Sequence, residues 1–459
     1  MAWSSEQVLA LAPDASSAKS GRQLANASKW KSLGEDGQAA WGLLQGSGKE
    51  PYQTCIELAA PAFKCSCPSR KFPCKHGLAL LLVLAEQPQA FKGKAAPDWV
   101  KEWLSSRKDR EEKQARKKEA DAAQADDPAV QAKRAAEQAR RSARREDRVA
   151  AGAGELELWL RDMVRQGLAA VQGKEYAFWE KPAARLMDAQ APGLRRLVME
   201  MASVPASGPG WQERLLEKTG RLYLLLQGFK RLAALPPETQ ADIRTWIGWS
   251  AEKEEVLVGA GVPDRWCVLG QRSYEDELDT RMRVQRTWLW GERSGRPALI
   301  LQFSYGTQPF ELSIVPGTAL EAELAFFPGA FPMRALVKPG QGQSRPLARF
   351  PGFPGLSEAF AACGRAMAAQ PWLDRFPLSL NGATPLGAAG EFMVRDGAGR
   401  CVPLAPASGS GWVLLALSGG RPLDLMGEWD GGRLLPLSAW SEDRFIVLHR
   451  MERAVSGNG

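Results

Sequence analysis

Histidine is almost missing from this chain: His76 and His449 are the only two in 459 residues. Catalysis by an imidazole base outside the cysteine-rich segment would have to use His449, with Cys267, Cys363, Cys401 or a serine as nucleophile. No spacing singles out such a pair. Carboxylates are many but scattered, so no acid–base pair stands out either. Long apolar runs are also lacking. The longest, Leu78 to Ala85, falls far short of the ~20 residues that a membrane-spanning helix needs. The start, Met1-Ala2-Trp3-Ser4-Ser5-Glu6, has no basic residue, and Pro13 and Asp14 break the apolar stretch behind it, so no leader is expected and the chain reads as soluble and cytoplasmic. Nor is there a phosphate-binding loop. Gly46-Ser47-Gly48-Lys49 has Leu43 where that pattern needs glycine and Glu50 where it needs a hydroxyl. These absences argue against an enzyme.

What is present is a concentration of soft ligands. The chain has seven cysteines, and three of them lie with one of the two histidines in the segment KCSCPSRKFPCKH. Cys65, Cys67, Cys74 and His76 offer the thiolates and imidazole preferred by tetrahedral structural zinc. In an extended segment, Cys-x-Cys places both sulfurs on one side. Pro51 to Ala60 has strand character, and the run behind Gly77 is helix-forming with no breaker until Pro88. The local order is therefore strand, metal loop, helix. Four protein donors close a site, whereas catalytic zinc keeps one position open. The bland alternatives are buried apolar cysteines or a disulfide. Cys65 and Cys67 are poorly placed to bridge each other, and an intracellular chain stays reduced.

The quartet, with six residues between its two pairs, resembles the CxCxnCxH pattern of the bacterial SWIM zinc-finger family. The flanks WGLLQGSGKEPYQTCIEL and CSCPSRKFPCKHGLALLL carry the resemblance. It implies a ββα unit with one structural Zn2+, contacting DNA or protein, and does not imply an enzymatic reaction. Bacterial proteins of this kind often occur with MoxR-type AAA+ ATPases and von Willebrand factor A-type proteins. The resemblance thus implies a non-enzymatic recognition or adaptor role beside such partners, with DNA or RNA binding by a basic finger as the alternative.

Charge patterning bears on that alternative. The net charge of +8 is modest for the length. Lys64, Arg70, Lys71 and Lys75 surround the metal loop with no acidic residue between Lys64 and His76. They either form a positive face for phosphates or simply solvate a small domain. Residues 101–150 hold fifteen Lys or Arg and eleven Asp or Glu and almost no large apolar residue after Leu104. Such a segment reads as a charged helical or disordered linker. Within Lys133 to Arg148, the residues Arg140, Arg141, Arg144 and Arg145 recur at helical spacing. They can touch phosphates or form ion pairs along a hydrated helix.

The expected fold class is α+β and multidomain. Residues 1–95 form the zinc-finger unit, with a short helix over Ser5 to Ala12 and an aromatic core of Trp30, Trp41 and Tyr52 stapled by the metal. Residues 151–260 are helical. One apolar face is expected from Leu156, Leu158, Trp159, Leu160, Met163 and Val164. A long helix carries Leu215, Leu216, Leu222, Leu224 and Phe229, and another spans Ala241 to Ser250. Residues 261–453 are β-rich, a sandwich or barrel. The strand candidates are Thr287–Trp290, Ala298–Phe303, Phe310–Val315 and Trp412–Leu417, with one helix at about Leu356–Ala369. A disordered tail is expected after Arg453.

Overall fold

The computed structural model describes residues 5–448 apart from 13–14, 47–49, 59–61, 70, 94, 110–127, 307, 341, 343, 389–390 and 407–409. His449 and the expected tail lie outside the described residues, as does Arg70.

The N-terminal unit is built on a meander. Strands β1 (Trp30–Glu35), β2 (Ala39–Leu44), β3 (Tyr52–Glu57) and β4 (Ala62–Cys65) pair antiparallel in order, and β5 (Lys92–Gly93) joins β1 in parallel. Asp36 closes the first hairpin. Its Oδ1 accepts the Gln38 and Ala39 amides at 3.0 and 2.9 Å, while Gly37 supplies a φ of +83°. Helix α3 (Lys75–Glu86) crosses one face, with α1 (Ser5–Ala10) and α2 (Ala15–Leu24) packed outside it. Covered on both sides, α3 buries every residue from His76 to Val83, which is why its apolar run shows no amphipathic period.

The other face of the sheet is covered too. Helix α4, residues 98–109, lays Trp99, Val100 and Trp103 against Trp41 and Cys55, and Arg107 Nε meets Glu57 Oε2 at 3.0 Å. Trp30 packs with α3 and Trp41 with α4, so the single aromatic core expected from the sequence is two cores on opposite faces. The start of the charged 101–150 segment is therefore part of this unit.

Helix α5 (Pro128–Gln166) runs unbroken across residue 150 into a helical bundle with α6 (Ala177–Asp188), α7 (Pro192–Ala202), α8 (Trp211–Lys230) and α9 (Pro237–Ile247), followed by the short α10 (Lys253–Val258). The core of the bundle takes Val149, Ala153, Leu156, Leu160 and Met163 from α5. Leu158 and Val164 are exposed, as are Leu216 and Leu224, so the expected apolar faces are narrower than read from the sequence. A helix in a bundle buries only a stripe at three- and four-residue spacing. Helices α7 and α9 meet closely at Gly193, where a Cβ would lie 2.1 Å from the Trp246 carbonyl oxygen.

The β-rich part has two sheets. One runs β10 (Ala335–Val337), β9 (Thr318–Phe326), β6 (Gly261–Glu275), β7 (Met282–Gly291), β8 (Pro297–Tyr305), with β11 (Ser344–Pro346) also on β9. It curls around Trp266, Val268, Leu289, Ile300 and Leu324 until the Leu299 amide reaches the Met333 carbonyl at 2.7 Å, next to β10. The other sheet runs β14 (Cys401–Pro403), β13 (Glu391–Arg395), β12 (Phe376–Ala388), β15 (Leu423–Trp429), β16 (Leu434–Ser441), β17 (Arg444–Val447). The two share a core containing Leu269, Trp288, Leu378, Leu425 and Leu437, joined there by α11 (Leu356–Ala369) at the position expected from the sequence.

Two expected strands are not strands. Trp412–Leu417 lies in α12 (Ser410–Ser418), which buries Leu414 and exposes Trp412. Phe310–Val315 is irregular chain. The Gln302 side chain bonds both the amide and the carbonyl of Leu312, at 2.6 and 2.9 Å, and Gln271 Nε2 donates to the Ile314 carbonyl at 2.9 Å, so side-chain amides replace a ladder. Val315 then enters the core of the N-terminal unit beside Val8 and Leu80.

Candidate metal centre

The register of β3 against β4 fixes the first donor. Thr54 pairs with Cys65, placing both on the α3 face of the sheet with Thr54 Oγ1 3.2 Å from Cys65 Sγ. The chain leaves β4 at Cys65, and the ladder is prolonged one step by Ser66, which bonds Gln53 through both its amide and its hydroxyl. Cys67 therefore sits at the bend just beyond the strand, with its sulfur among the other donors. The loop ends at Cys74, the N-cap of α3, whose Sγ accepts the Gly77 amide at 3.5 Å. His76 follows in the first helical turn. Its Nδ1 lies 3.7 Å from Cys65 Sγ, and its ring rests 4.9 Å from that of Tyr52.

The four donor atoms all lie within 4.8 Å of one another. Zinc–sulfur bonds of about 2.3 Å in a tetrahedron imply sulfur–sulfur edges of about 3.8 Å, so the donors need close by no more than about 1 Å. His76 and Cys74 are buried, and Cys65 and Cys67 are half-buried. The set is closed and suits one structural Zn2+.

Protonation follows the crowding. The hydrogen bond from Cys74, with others from His76, Thr54 and the Cys67 amide, outweighs burial and holds the Cys65 thiol down at about 4. Cys74 is pushed up by that same bond and by burial, and Cys67 is pushed up chiefly by burial. The pocket thus shares one thiolate among neighbours, and a dication entering it displaces the remaining protons. Cys55 is pushed up to about 12 by burial; it faces α4 and is not a donor.

The basic residues divide. Lys64 pairs in register with Cys55, on the face of the sheet away from the ligands. Lys71 and Lys75 are exposed on the loop and at the start of α3. Spacing alone could not reveal this, since it depends on the β3–β4 register. Thr54 was missed for the same reason, and at Gly77 the helix passes close to Phe63, where a Cβ would stand 3.0 Å from the ring.

Residues 64–85 match the SWIM zinc finger, and residues 144–247 match the SWIM-associated four-helix bundle domain. The second match begins within α5 and ends with α9. No curated protein and no solved structure matches the chain. The chain carries a SWIM zinc finger and its associated bundle.

Proposed function

We propose that this SWIM zinc-finger protein is a non-enzymatic recognition component that docks on protein partners, its zinc stapling one of the docking units. The observation that carries the reading is the commitment of all four donors to one closed cluster under α3. An ion held by four protein donors offers no position to a substrate. A MoxR-type AAA+ ATPase and a von Willebrand factor A-type protein are the partners that the family resemblance suggests. Among the described residues, Lys64 lies on the face opposite the ligands, apart from the exposed Lys71 and Lys75, and this splitting of the basic side chains supports protein over nucleic acid at the finger itself. The test is affinity purification of the full chain from its native host with and without nuclease. Co-purification of a defined protein after nuclease treatment supports the reading, and loss of every partner on nuclease treatment contradicts it.

A further inference from the structure

The corner where α5 passes the end of α9 holds a second cluster that the zinc centre does not explain. The Arg145 guanidinium stands 4.9 Å from the Trp249 ring centroid and the Arg244 guanidinium 5.8 Å from it. Arg196 stands over the neighbouring Trp246 at 5.9 Å. Arg145 Nη2 donates to the Gly248 carbonyl at 3.2 Å, which fixes the side chain in place, while its buried Nε has no acceptor. Arg196 is paired with Glu200, but among the described residues no carboxylate lies within ion-pair distance of Arg145 or Arg244. The partial negative charge at the C-terminus of α9 accounts for one neighbouring cation. It does not account for two guanidiniums gathered on one indole.

Exposed arginines continue from the cluster along α5. Residues 128–148 of α5 precede Val149, the first residue of that helix in the bundle core. They carry seven Lys or Arg against three Asp or Glu. As a helix they extend over about 30 Å. Arg140, Arg144 and Arg148 are exposed along it. Guanidiniums held over aromatic rings, with free fork donors and a row of cations leading away, suit a chain of phosphates at regular intervals.

We propose that this corner of the bundle, with Arg145 and Arg244 at its centre and Arg140 and Arg144 along α5, binds the phosphodiester backbone of single-stranded nucleic acid. A lone phosphate would need only the two central arginines; the exposed Arg140, Arg144 and Arg148, spread over about 12 Å of α5, are what favour a polymer. The site is separate from the finger and does not depend on how the finger is used.

The test is fluorescence anisotropy of the full, zinc-loaded chain with a labelled twenty-nucleotide oligothymidylate across a salt series. The wild-type chain should bind at low salt. Replacing both Arg145→Gln and Arg244→Gln should weaken binding about tenfold or more and reduce the log–log salt slope by about 1.4, at about 0.7 per phosphate contact. Because Arg145 also holds the end of α9, a second variant with Arg140→Gln and Arg144→Gln, both exposed, should lower the slope similarly with an unchanged melting temperature. Lys71→Ala with Lys75→Ala should leave binding intact. No binding at low salt, wild-type affinity and salt slope retained in both arginine variants, or binding lost only in the lysine variant would overturn the proposal. So would displacement of the strand by a phosphopeptide at equimolar concentration.

Discussion

The Gly77 amide donates to Cys74 Sγ at 3.5 Å, so one sulfur both caps α3 and faces the other three metal donors. Folding of the helix and assembly of the zinc centre are thereby one event. The two contributions can be separated by substitution, because serine is itself a good N-cap.

Cys74→Ser should keep the cap and lose the metal. Limited proteolysis should then open sites in residues 50–90 while the bundle, residues 144–247, stays resistant. Because Val315 sits in the core of the finger unit, a further cut is expected beside it. Cys74→Ala should be worse by about 1 kcal/mol, the usual worth of an N-cap. Equal cutting throughout the bundle would contradict this separation.

The quartet Cys65, Cys67, Cys74 and His76 was legible in the sequence because metal ligation is a local pattern of residue types. Helix α11 was legible for a similar reason, its boundaries being set by flanking glycine and proline. What failed depended on tertiary partners. Trp412–Leu417 is a short apolar run with no period, and such a run fits a strand or a buried helix equally well. Phe310–Val315 looks like a strand until Gln302 and Gln271 take up its backbone groups. Trp30 and Trp41 part company, and Lys64 turns from the ligands, only once strand register is fixed.

Glu428 joins the two sheets from the inside. It is 1% exposed and accepts Arg286 Nε at 2.8 Å and Trp288 Nε1 at 2.6 Å. Burial pushes its carboxyl up, but the Arg286 charge and these two hydrogen bonds together bring it below the usual range. Its folded pKa is thus depressed. The stability it contributes is present above the unfolded value of about 4.3 and is lost as pH falls through the folded value. Glu428→Gln leaves Arg286 without its counter-charge and should cost about 3–5 kcal/mol in urea unfolding at pH 7. A loss below about 1 kcal/mol would show that the pair is dispensable.

Asp242 has the opposite sign. This residue of α9 accepts the Ala330 amide at 2.9 Å and Gln370 Nε2 at 3.0 Å, tying the bundle to the β-rich part. Burial pushes its carboxyl up to about 6. The stability linked to this raised value is fully present below the unfolded pKa of about 3.9 and is lost as pH rises through about 6. Asp242→Asn should remove that loss, flattening the urea midpoint between pH 4.5 and 7. An unaltered slope would show that Asp242 does not titrate in this window.

The central claim is that Cys65, Cys67, Cys74 and His76 hold a single zinc ion that folds the finger. Its most direct test is the zinc-to-protein ratio of the freshly purified full chain, measured by elemental analysis beside Cys67→Ser and His76→Ala. The wild-type chain should carry one zinc per molecule and both variants close to none. A zinc-free wild-type chain whose residues 30–93 are as protease-resistant as those of the metal-loaded protein would contradict the account.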